Sequence, residues 1–98
     1  MKKVVILGST GMLGNSVVDV FERDKTKEIF CSYRNPNVAR GTNSFYFNAL
    51  TSDLKEIPQC EYLINCIGII KPFMEINISD SIFINSIFPI NIIIFICI

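Results

Sequence analysis

The stretch Val4-Val5-Ile6-Leu7-Gly8-Ser9-Thr10-Gly11-Met12-Leu13-Gly14 decides how the rest of this chain is read. Its apolar run follows Lys2-Lys3 and stops at Gly8. A short, continuous, β-branched run of this kind suits a strand buried on both faces, as in a parallel sheet. Beyond the run, Leu13, Val17, Val20 and Phe21 recur at helical spacing, with Asn15, Asp19, Glu22 and Arg23 largely off that stripe. The three glycines therefore form a GxxGxxG between an expected strand and an expected helix. Each has a separate physical task. Gly8 lets the strand turn sharply, Gly11 admits a pyrophosphate close to the backbone, and Gly14 lets the helix pack close to the sheet. The helix start offers unpaired N–H groups and the positive end of its dipole to phosphates. Turn geometry alone can bring three glycines together, but the strand–loop–helix context is the one a dinucleotide site requires.

Reading outward, Asp24-Lys25-Thr26-Lys27 is a polar connector and Ile29-Phe30-Cys31-Ser32-Tyr33 a second strand, ended by the turn Arg34-Asn35-Pro36-Asn37. Residues 38–44 read as loop and Phe45-Tyr46-Phe47 as a third short strand. Leu54 to Ile57 suits one helical turn, stopped before Pro58. Tyr62-Leu63-Ile64-Asn65-Cys66-Ile67 is a fourth strand, broken at Gly68, and Ser79-Asp80-Ser81 caps a helix running toward Phe88-Pro89. Strands alternating with crossovers predict an α/β fold with a parallel sheet. No internal repeat and no interdomain linker interrupt the 98 residues, which allow one small domain or part of a larger one.

Composition excludes several functions. Nine Lys+Arg balance nine Asp+Glu, so there is no basic surplus for the phosphate neutralisation that nucleic-acid binding needs. The chain has no His, the usual neutral-pH base and a common metal ligand. Ser9 and Ser79 thus lack an activating imidazole, and Asp53 with Glu56 reads as a solvated helix face. Cys31, Cys60, Cys66 and Cys97 contain no CxxC pair, and no secretory leader stands at Met1. Reduced thiols in a cytoplasm, without a metal, are the expectation. Cofactor choice is read after the second strand. A site for unphosphorylated ribose usually carries an acid there. This chain reads Ser32-Tyr33-Arg34, with no acid until Asp53. Arg34 offers a planar fork of donors to a 2′-phosphate, which favours NADP and leaves NAD as the alternative. A solvated turn arginine is the competing reading.

With these residues in view, the chain resembles the amino-terminal part of a Rossmann domain from the extended short-chain dehydrogenase/reductase superfamily. Its closest flavour is the dTDP-4-dehydrorhamnose reductase-like, sugar-nucleotide reductase branch. The likeness spans roughly residues 2–90 and is carried by Gly8–Gly14, Tyr33-Arg34-Asn35-Pro36, Leu63-Ile64-Asn65-Cys66-Ile67-Gly68 and Ile84-Asn85-Ser86. It implies a partial NAD(P)-binding domain over residues 1–90, an incomplete parallel sheet flanked by helices. By resemblance, Gly8, Thr10, Gly11, Met12, Leu13 and Gly14 cradle the pyrophosphate. Asn48, with Ala49 after it, stands where the family commonly places an adenine-binding Asp. Asn65, Cys66 and Ile67 line the ribose side, and Asn85 supports the active site by hydrogen bonding. The family's hydride transfer is assisted by a Tyr and a Lys four residues later, which exchange a proton with the carbonyl. Here the residues four beyond Tyr33, Tyr46 and Tyr62 are Asn37, Leu50 and Cys66. The catalytic pair is absent. The resemblance therefore implies the NADP-binding front of a sugar-nucleotide oxidoreductase, with a nucleotide-sugar partner only in a full-length parent. The alternatives are a non-catalytic dinucleotide-binding module, a degraded remnant, or a fragment of a nucleotide-sugar epimerase or dehydratase.

The end of the chain departs from this pattern. Every charged residue lies at or before Asp80, and nine of the 17 residues from Ile82 to Ile98 are Ile. Residues 91–98 form an atypical tail. A membrane anchor needs about 20 apolar residues; this run is shorter and holds Asn85, Pro89 and Asn91. A buried strand over Ile92–Ile98 has a normal strand length. An AT-rich message read out of frame also yields Ile, Asn and Phe, and this third reading is preferred.

Overall fold

Strand β1 (Lys2–Leu7) ends in four residues, Val4 to Leu7, with no exposed surface. Successive side chains of a strand point to opposite faces, so burial of all four requires cover on both. Val4 and Ile6 join Val18 and Cys31 on one face; Val5 and Leu7 join Phe47, Ala49, Ile84, Phe88 and Ile92 on the other. In the computed structural model the structure describes residues 1–39, 43–68 and 77–97, with side chains through Ile94. Part of the expected 38–44 loop and the terminal Ile98 lie outside the described residues.

Three further strands complete the sheet: β2 (Lys27–Tyr33), β3 (Ser44–Tyr46) and β4 (Tyr62–Asn65). All pairs are parallel, in the order β3-β2-β1-β4. Val4 is in register with Ile29 on one side and Tyr62 on the other. This is the α/β architecture expected, a Rossmann-type parallel sheet flanked by helices, with the strand order of that fold's first half. The β1 and β2 strands begin earlier than their apolar runs, because backbone pairing extends the ladder through Lys2 and Lys27. The third strand starts and stops one residue sooner than expected. Phe47 is then left to turn into the core, where its ring centroid lies 5.8 Å from that of Phe88.

Helix α1 (Met12–Glu22) covers the Val4/Ile6 face. Its buried stripe differs from the expected one. Gly14 and Val18 are buried, with Val17 and Phe21 packed beside them, whereas Leu13 and Val20 stand exposed. The smallest residue of the helix lies at the point of closest approach, and that turns the packing face by about one residue.

The other face is covered by α2 (Ile78–Ile82), a π-helical segment (Phe83–Ile87) and α3 (Phe88–Cys97) in succession. The cap of α2 is Asn77, two residues ahead of the expected Ser79, because the Asn77 side chain accepts from the Asp80 N–H at 3.1 Å. The buried strand that Ile92–Ile98 also allows is not formed; the described part of that stretch is helical. Strand preference is weak against packing. Phe88 and Ile92 are one turn apart, and both reach the core only if the backbone between them is helical. The expected boundary at residue 90 falls inside α3.

Two predictions follow from this packing. Phe88→Ala should cost about 3–5 kcal/mol in chemical denaturation, as for other buried aromatic truncations; a neutral result would mean that the Ile-rich helix does not dock. In the turn before β2, hydrogen bonds from Thr26 and from Lys27, the latter at 3.0 Å, hold the Asp24 carboxyl at about 2. A carboxyl depressed on folding stabilises above its unfolded value and loses that contribution as pH falls toward its folded one. Carboxyl NMR should therefore find Asp24 still ionised at pH 3, and Thr26→Ala should raise its midpoint.

Candidate functional site

The loop between β1 and α1 is built by two unusual backbone positions. Gly8 has φ of +77°, a conformation that side chains rarely adopt. The turn carries Gly14 directly onto it. A Cβ on Gly14 would stand 1.9 Å from the Gly8 carbonyl oxygen and 2.9 Å from Ser9 Cα. Gly11 is different: a Cβ there meets only the Gly8 oxygen, at an ordinary 3.6 Å. The protein itself does not demand glycine at residue 11, which is what a position kept bare for a ligand would show. The Gly11 N–H donates to Gly8 O and the Asn15 N–H to Gly11 O. No side chain caps the start of α1, and no acid lies in its first turn. Its leading N–H groups are thus available to an anion, with nothing negative on the first turn to repel one.

The tip of β2 is tied to this loop. Gly8 N–H donates to Ser32 Oγ at 2.7 Å, Ser9 Oγ donates to Ser32 O at 2.7 Å, and Ser9 N–H donates to the same oxygen at 3.3 Å. Both serines are buried.

Above these ends of the strands lies a cleft of about 180 Å³. Of the expected site residues, Gly8, Thr10, Gly11, Arg34, Asn48, Ala49, Cys66 and Ile67 line it. Met12, Leu13, Gly14 and Asn65 do not. The Met12 and Leu13 side chains are exposed on the first turn of α1, so main-chain N–H is all they have to offer. Gly14 is spent on packing against Gly8. Asn65 Oδ1 accepts from Ile67 N–H at 3.1 Å, which shapes the end of β4 rather than a ligand surface. Asn48 Oδ1 similarly accepts from Leu50 N–H, so the side-chain donor of Asn48 is the group it has left.

Gly68, the end of the segment that the resemblance sets on the ribose side, lines the cleft as well, and so do Ser32, Tyr33, Phe47 and Ile84, to which the sequence assigns no contact. Ser32 and Tyr33 were within sight, directly before Arg34. Ile84 arrives from a helix that no local motif connects to the loop. Asn85, its neighbour, has Oδ1 3.5 Å from where a Cβ of Gly68 would stand, and so reaches the rim of the cleft.

Electrostatically the lining is simple. Arg34 is its charged member, no carboxylate lies among the lining residues, and Arg34 makes no ion pair among the described residues. Burial pushes the Cys66 thiol up, so the sulfur stays protonated at neutral pH. Cys60 is raised for the same first reason, but it packs on the opposite sheet face. Cys31, Cys60 and Cys66 are free thiols, and no group of three metal-ligating side chains occurs among the described residues. No helix among them is long and apolar enough to cross a membrane.

No family model matches the chain, and no curated protein matches it. Fold and cleft thus define a class alone: a Rossmann-type α/β unit with a glycine loop at the carboxyl end of its central strand.

The glycines separate by experiment. Gly14→Ala should destabilise the fold severely, by about 4 kcal/mol or more. Gly11→Ala should remain folded within about 1 kcal/mol of the parent, as read by thermal melting. Iodoacetamide should modify Cys66 more slowly than free cysteine at pH 8, with its rate still rising above the ordinary thiol range.

Proposed function

We propose that the cleft binds a nicotinamide dinucleotide, NADP in preference to NAD, and that the chain is the cofactor-binding front of a sugar-nucleotide oxidoreductase. The observation that carries this reading is Gly11. It lies bare in the cleft beside an uncapped helix start, where no packing need accounts for the missing Cβ. A pyrophosphate fits such a place, because main-chain N–H donors and the helix dipole both favour negative charge. Arg34 stands on the same lining, free of an ion pair among the described residues, and its guanidinium suits a 2′-phosphate. Asn48 and Ala49, which the resemblance assigns to the adenine, and Cys66 and Ile67, which it assigns to the ribose side, line the same cleft.

When bound, the dinucleotide supplies or accepts hydride. The chain's own residues bind and orient it. They do not supply the proton that hydride transfer to a keto-sugar requires, since no Tyr-x-x-x-Lys pair is present in the 98 residues. The activity proposed for the chain itself is therefore binding, and the oxidoreductase reaction belongs to a parent that carries the pair. Unpaired thiols accord with a reducing, cytoplasmic setting.

Arg34→Ala should weaken NADPH by about tenfold or more, the worth of a charge-assisted hydrogen bond, while NADH changes little. Fluorescence titration with both cofactors measures this. Equal losses would remove the 2′-phosphate assignment. Gly11→Ala, folded, should weaken both cofactors together; undiminished binding would remove the pyrophosphate cradle.

A further inference from the structure

The Ser9–Ser32 clamp joins two parts of the cleft that the proposed reading uses for different phosphates. Ser32 sits in the last turn of the pleat of β2, two residues before Arg34. Its hydroxyl takes the Gly8 N–H and its carbonyl takes both the hydroxyl and the N–H of Ser9. The two side chains are essentially without exposed surface, at 0% and 1%. Three hydrogen bonds thus bind the glycine loop to the tip of the neighbouring strand, beyond the ordinary ladder. A half-buried N–H that loses its acceptor carries a cost, so the Gly8 turn depends on the Ser32 hydroxyl for its position.

We infer that Ser32 is a positioning residue for dinucleotide binding: it holds the glycine loop at a set distance from the strand tip that bears Arg34. It acts through Gly8 and Ser9, whose loop it ties to the strand tip. This rests on the dinucleotide reading and adds to it the group that pre-organises the cradle. A ligand that uses the loop needs the clamp. A ligand confined to the strand tip does not.

The test uses the full 98-residue chain and two probes: NADPH, which spans loop and tip, and adenosine 2′-monophosphate, which has no pyrophosphate. Ser32→Ala should weaken NADPH by about tenfold, the cost of one orphaned half-buried donor, and leave adenosine 2′-monophosphate within about twofold. Arg34→Ala should weaken both. Should Ser32→Ala fail to fold, Ser9→Ala carries the test, since it removes one bond and leaves the other two; about threefold weaker NADPH is expected. A merely structural serine would lower the melting temperature and move both probes together, or neither, and either pattern overturns the inference while the dinucleotide reading stands. Failure of the unaltered chain to bind NADPH overturns the reading itself, and the inference with it.

Discussion

The close approach of Gly14 to the Gly8 carbonyl is the constraint on which the rest depends. With 1.9 Å available where a Cβ would stand, only glycine lets α1 start directly above the turn that ends β1. That approach sets the height of α1 over the sheet. It also selects Val18 and Phe21, rather than Leu13 and Val20, as the residues that meet Val4, Ile6 and Cys31. The same geometry brings the uncapped first turn of the helix over the carboxyl ends of the strands, where the cleft opens. Packing and the proposed anion binding thus both trace to one contact. They separate at Gly11, where the protein leaves room that it does not itself fill.

The second face of β1 places a corresponding demand on the end of the chain. Val5 and Leu7 would be exposed without Ile84, Phe88 and Ile92 over them, and hydrophobic burial is the dominant favourable term in folding. The composition of residues 81–98, uncharged and rich in Ile, reads as foreign to a surface helix. Position by position it is less so, because Ile84, Phe88 and Ile92 fall one turn apart and face the sheet. Ile87, Ile90, Ile93 and Ile94 face away and stay exposed. That outer face is apolar without any core to justify it, and there the oddity of the composition remains.

How much was legible follows from how local each feature is. The GxxGxxG, the apolar run before it and the four strands are short-range patterns, and all four strands lie where the sequence places them within a few residues. Along α1, Val17, Phe21 and the close approach of Gly14 are legible, but the apolar stripe also counts Leu13 and Val20, which the approach at Gly14 turns outward. The Asn77 cap was passed over for a Ser-Asp-Ser cluster two residues later, since both offer side-chain oxygens and only the backbone conformation chooses between them. The strand that Ile92–Ile98 also allows gives way to helix, because β-branched residues state a preference that tertiary packing overrides. In the cleft, Arg34, Asn48 and Ala49 were legible as strand ends. Ile84 was not, since it reaches the site through a helix far along the chain.

The charge of the whole chain and the charge of the site tell different things. Nine cations against nine anions give no field that would draw a polyanion, which is why nucleic acid was set aside from composition alone. A dinucleotide asks for less: a few fixed donors, one guanidinium, and no carboxylate nearby to oppose them. Nothing in the net charge reveals whether that arrangement exists, because moving one carboxylate onto the lining would leave the balance at zero and abolish it. Here Asp53, the first acid after Asn48 and Ala49, is held in a capping box instead, accepting from the Lys55 N–H while Glu56 accepts from the Asp53 N–H. The anion preference proposed for this chain is therefore a matter of placement, set by the turn at Gly8 and by the strand tip beside it.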